Sequence, residues 1–125
     1  MKDPISPVMH PNELPAEVSS WGSVQWLCNA DLFEDCEMSM GIVRINAGEK
    51  IPEHVHPDCE ALIYVEAGEC EQRIGKAWYH LTPGCTIRVP RGTPHQTVNL
   101  GPENCRMICV HSSPKREFKS LEDME

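Results

Sequence analysis

His54 and His56 stand one residue apart, in a stretch whose neighbours are apolar and β-branched. On a strand, residues i and i+2 point to the same face, so both imidazoles project to one side. A carboxylate, Glu60, follows the turn signal Pro57-Asp58, and a third histidine, His95, ends the run Pro90-Arg91-Gly92-Thr93-Pro94. Two imidazoles and a carboxylate suit a first-row divalent ion, with positions left open for water or substrate. Taken alone, the H-x-H pair also reads as a solvated strand face. Apart from Glu60 no general acid or base is recognisable nearby, so the catalytic residues stay unassigned.

The second stretch changes the weight of the first. Residues 84–99 run from a turn glycine through a short strand and a Pro-Gly loop to His95 and Asn99. Together the stretches resemble the cupin superfamily, whose paired motifs read G-x5-H-x-H-x3,4-E-x6-G and G-x5-P-x-G-x2-H-x3-N. Gly84, Pro90, Gly92, His95 and Asn99 match the second motif; Gly48, His54, His56 and Gly68 match the first. The resemblance covers residues 48–99. It implies an all-β double-stranded β-helix, a jelly-roll barrel that brings His54, His56 and His95 onto one divalent transition metal per chain. Mn, Fe, Co, Ni, Cu and Zn all accept imidazole, so the donor types leave the ion open.

One position departs from the pattern. Counting back from Gly68, the family's glutamate falls at position 61, which is Ala61 here. Glu60 keeps the gap after His56, but strand parity sets Ala61, Ile63 and Val65 on one face and Glu60, Leu62 and Tyr64 on the other. A bulge near Cys59 would return Glu60 to the metal side. The expected ligand set is therefore His54, His56, His95 and Glu60, with three histidines as the alternative.

The elements that must position these residues are short strands. Residues 23–27, 38–46, 61–65, 70–74, 77–81, 86–89, 96–100 and 106–111 alternate or are β-branched, and Gly, Pro and Asn punctuate them. Gly75-Lys76 reads as a hairpin turn, and Thr82-Pro83-Gly84 has type II chemistry. Many short strands at regular spacing indicate a closed barrel or jelly roll, expected over residues 21–112. Residues 1–20 hold four prolines and are expected to form an extended arm; residues 113–125 read as a charged tail, loose or weakly helical.

A chain of 125 residues, 40% hydrophobic and 24% charged, is expected to be one globular domain. Its net charge of −8 argues against nucleic acid and anionic membrane surfaces as partners. No apolar run reaches the length of a bilayer span, and no signal-peptide pattern opens the chain, so a cytoplasmic location is expected. The seven cysteines form no C-x2-C pair and are expected to be free thiols. Cys59 sits between His56 and Glu60 and is the thiol to follow.

Around the proposed ion, Arg44, Thr97 and Asn99 are candidate contacts for a small-molecule ligand. Arg44 would hold a carboxylate if its face, shared with Met40 and Ile42, is the cavity; otherwise it belongs to an exterior charge pair. Thr97 and Asn99 share the parity of His95, and Asn99 also suits a turn. His10, His80 and His111 read as structural, Arg88 and Arg91 as exterior, and Tyr64 and Trp78 as packing or interface aromatics. Two function classes remain open: a metal-dependent oxygenase, isomerase or lyase on a small oxygenated acid, or a metal-containing binding protein without turnover. An inward Arg, Tyr or Glu near the ion favours the enzyme. The Leu62–Tyr64 face, together with the Pro-rich arm, predicts a homodimer.

Overall fold

The computed structural model describes residues 6–122. Among the described residues, eleven strands fall into two antiparallel sheets packed face to face. The first holds β1 (Glu17–Val18), β2 (Gly22–Cys28), β3 (Ser39–Ile45), β5 (Ala61–Ala67), β8 (Thr86–Val89) and β10 (Cys105–His111), in the order β1-β2-β3-β10-β5-β8. The second runs β11-β4-β9-β6-β7, with β4 (His54–Val55), β6 (Cys70–Ile74), β7 (Ala77–Leu81), β9 (His95–Val98) and β11 (Lys119–Ser120). This is the expected all-β jelly roll. No helix among the described residues is long and apolar enough to cross a membrane.

Period-2 alternation builds the core. In β5, Ala61, Ile63 and Val65 are buried while Leu62 and Tyr64 are exposed, and β10 alternates through Cys105, Met107, Cys109 and His111. Ile45 and Val65 are wholly buried, and each such side chain contributes about 1.5–3 kcal/mol on leaving water. Gly41 is small for a reason on the page: a Cβ there would stand 3.1 Å from the Trp26 ring packed above it.

Two motif glycines act through their backbone. Gly68 has φ +78° and passes so near β10 that a Cβ would lie 2.5 Å from the Asn104 carbonyl oxygen. Gly92 has φ +68°, and its N–H donates to the His56 carbonyl at 3.0 Å, tying the second motif's loop to the first motif's histidines.

The described parts of both terminal segments pack on the sheets. Pro11–Glu13 makes one 3-10 turn, and Gln25 Nε2 donates to the Pro11 and Leu14 carbonyls at 2.6 and 3.1 Å, holding the arm along β2. The tail is neither loose nor helical as far as residue 122. Its β11 pairs with β4 through Lys119↔Val55 and Ser120↔His54, so the segment after β10 crosses the mouth beside the histidines.

Candidate metal centre

His54 and His95 are direct cross-strand partners on β4 and β9, with ring centroids 4.2 Å apart. His56 lies just past β4, on the same side as His54 by strand parity, its ring 4.8 Å from His54 and 5.0 Å from His95. All three are buried, and one nitrogen from each falls within a 4.8 Å cluster.

The hydrogen bonds decide which nitrogen is free. Each Nδ1 faces a backbone carbonyl: Pro52 for His54 at 2.7 Å, Glu117 for His56 at 2.6 Å and Thr93 for His95 at 2.9 Å. A carbonyl only accepts, so each Nδ1 carries the proton and donates, leaving Nε2 with its lone pair. Burial pulls His54 down to about 2 and His56 to about 4, with the neighbouring His95 reinforcing both shifts, and burial also lowers His95. Three neutral, oriented imidazoles with free Nε2 atoms fit a divalent transition ion, and the carbonyls fix tautomer and ring as outer-shell partners do.

Glu60 does not join them. No bulge turns it inward: Ala61 is buried and lines the cavity, while Glu60 lies on the outer side with its carboxylate 2.9 Å from Arg88 Nε. Strand parity outweighs motif spacing here because one slipped residue would expose Ile63 and Val65. Arg44 likewise points away from the cavity. Its face carries Gln25, whose Oε1 its guanidinium approaches at 3.4 Å, and the inward residues of β3 are Gly41, Val43 and Ile45. Thr97 does line the cavity, donating to Gln72 Oε1 at 2.5 Å. Asn99 is buried and fully engaged in structure: its amide donates to the Ile45, Asn46 and Glu103 carbonyls, and its Oδ1 accepts from Gly101 N–H. It locks a turn and offers nothing to a ligand.

Three cavity residues escaped the sequence. His111 at the end of β10 faces inward, its ring 5.1 Å from that of His56, and burial holds it down to about 3. The signal was its shared parity with Met107 and Cys109. Phe118 stacks on His54 with centroids 4.1 Å apart at 20°. Arg116 lies over Trp26 at 4.8 Å and over Phe118 at 5.3 Å, and lines the cavity. No local pattern marks either tail residue.

All seven cysteines are free thiols. Cys59 is buried outside the cavity lining, and burial followed by its hydrogen bond to Asp58 pushes it up to about 12. The thiol that does face the cavity is Cys109, which burial also pushes up to about 12. Neither is a thiolate at neutral pH.

A jelly roll with a buried trio of neutral histidines in its interior defines a class of small β-barrel proteins whose donors could hold a metal ion. The cupin domain family model matches residues 41–111, and the chain belongs to that family. Among curated proteins, the chain is 33% identical over 82 residues to polyketide synthase CurC of Streptomyces cyaneus, covering 66% of this chain and 53% of that one. It is 32% identical over 75 residues to protein SchB of Streptomyces halstedii, covering 60% and 54%. The chain thus spans about half the length of these relatives. Among solved structures, the formate complex of Lactobacillus farciminis oxalate decarboxylase superposes with TM-score 0.82 at 23% identity, over 90% of this chain and 35% of that chain. That likeness is one of fold.

Proposed function

We propose that this chain is a metal-binding cupin acting on a small oxygenated acid, a sugar acid or other carboxylate, through a divalent ion held by His54, His56 and His95. The observation that carries the reading is the trio's hydrogen bonding: three Nδ1 protons spent on carbonyls, three buried Nε2 lone pairs left over. A bound ion would supply Lewis acidity toward substrate oxygens. The chain's own part is to exclude water, with Val43, Ile63 and Met107 in the lining, and to present one cation, Arg116. The structural relative named for its formate complex supports a carboxylate ligand by analogy of fold.

An inward arginine favours the enzyme reading, as an oxygenase, isomerase or lyase. A second reading, a metal-containing binding or accessory protein without turnover, is favoured by a lining that has no Asp or Glu among the described residues. Elemental analysis of protein purified without a chelating tag tests the common core of both. About one equivalent of a transition ion per chain is expected, and protein metal-free after expression in metal-supplemented medium overturns the reading.

The same preparation tests the quaternary state. Leu62 and Tyr64 are each 44% exposed on the outer face of β5, beside Val110 and Ile108 of β10, and beyond them Met40 of β3 is 36% exposed. That apolar strip supports a homodimer through this sheet. Light scattering at micromolar concentration should return twice the chain mass; a monomer refutes the dimer.

A further inference from the structure

The charges around the cavity are unusual for so acidic a chain. None of the six ion pairs formed among the described residues involves Arg116, although its guanidinium is held between Trp26 and Phe118 at the edge of the histidine cavity. An arginine stays charged at any working pH, and although Glu17 and Asp58 act on Arg116 through space, neither carboxylate pairs with its guanidinium. A second group points the same way. His111 Nδ1 is buried and has no hydrogen-bond partner among the described residues, and its ring lines the same cavity. Buried polar atoms left without partners call for one. With three neutral imidazoles opposite, the described residues that line the cavity carry one fixed positive charge, Arg116, and no carboxylate, Glu17 and Asp58 lying outside the lining.

We propose that Arg116 is the anion-binding residue of this cavity, gripping the carboxylate of a small acid whose remaining oxygens face the three histidines, with His111 as a further hydrogen-bonding partner. The assignment rests on the reading of the histidine trio as a metal site acting on a carboxylate, and adds which residue selects the ligand. The cavity volume of about 50 Å³ has room for roughly three to five water-sized groups, enough to seat the carboxylate end of a small acid, with any longer remainder extending toward the opening. Planar guanidinium suits a carboxylate bidentately, and the two aromatic rings hold the fork in place before the ligand arrives.

Calorimetric titration with glycolate and with its uncharged counterpart glycolamide tests this, on metal-loaded and metal-free protein. Wild type should prefer glycolate by at least about tenfold. Arg116→Gln should weaken glycolate by about 10- to 100-fold, erase the preference, and leave metal content unchanged. A variant that keeps the preference, or a wild type that never had one, overturns the assignment. Should Arg116→Gln fail to fold, Arg116→Lys decides: it keeps charge and stem but loses the fork, so glycolate should weaken at least about threefold, and unchanged affinity overturns the proposal. A wild type that retains no metal defeats the metal reading alone, because the metal-free titrations still read the guanidinium.

Discussion

Replacing His54, His56 or His95 singly by alanine is expected to strip the protein of metal while leaving its β-sheet circular dichroism intact. Each imidazole would be one of only three protein donors, so its loss should cost more than the 10- to 100-fold typical of an outer-shell partner. The fold survives because the strands are held by residues elsewhere, Ile45, Val65 and Met107 among them. Glu60→Ala is the contrast. With its carboxylate on Arg88 at the surface, this variant should keep full metal content. Ala61→Glu adds a carboxylate on the cavity side and should tighten binding. Full occupancy after loss of His54 and His95 together would defeat the site.

Acid should destabilise the metal-free protein well before its carboxylates titrate. His54, His56 and His111 are held by burial at about 2, 4 and 3, whereas in the unfolded chain each returns to the ordinary imidazole value of about 6.5. Below pH 6.5 the unfolded chain therefore binds protons that the folded one refuses. The stability these depressed values represent is complete above pH 6.5 and is lost as pH falls below it. At pH 5 each such histidine costs about 2 kcal/mol, on the order of 4–6 kcal/mol for the three, against a total stability of roughly 5–15 kcal/mol. Urea melts at pH 7, 6 and 5 should show the midpoint falling steeply; a midpoint independent of pH would contradict neutral burial of His54, His56 and His111.

The strands were legible because the punctuation was strong. β6 and β7 begin and end where Gly75-Lys76 and Thr82-Pro83-Gly84 say they should, and Cys85 N–H closes that last turn onto Thr82 at 2.9 Å. Plain parity of β5 sets Ala61 inward, as observed; the expectation of Glu60 as a ligand required a bulge that is not there, and only the gap after His56 favoured it. Faces were harder on β3. Ile42 is 2% exposed although it points away from the cavity, because its cross-strand partner Gln25 holds the N-terminal arm over that side. With both faces apolar, nothing local says which one Arg44 shares. Arg116 and Phe118 were illegible for a different reason. Their place depends on β11 reaching back to β4, a pairing between residues some sixty positions apart that their charged surroundings do not encode.

The three Nδ1 anchors also differ in when they can exist. His54 and His95 are oriented by carbonyls two residues upstream, so each ring is set as soon as its own loop closes. His56 is oriented by Glu117, 61 positions later in the chain. Closing a loop of that length is slow and comes after the local turns. During folding, then, two rings take their bearing early, and the third waits for the tail to dock across the mouth. A nascent chain paused before residue 117 would carry all three histidines and still present an unfinished cage.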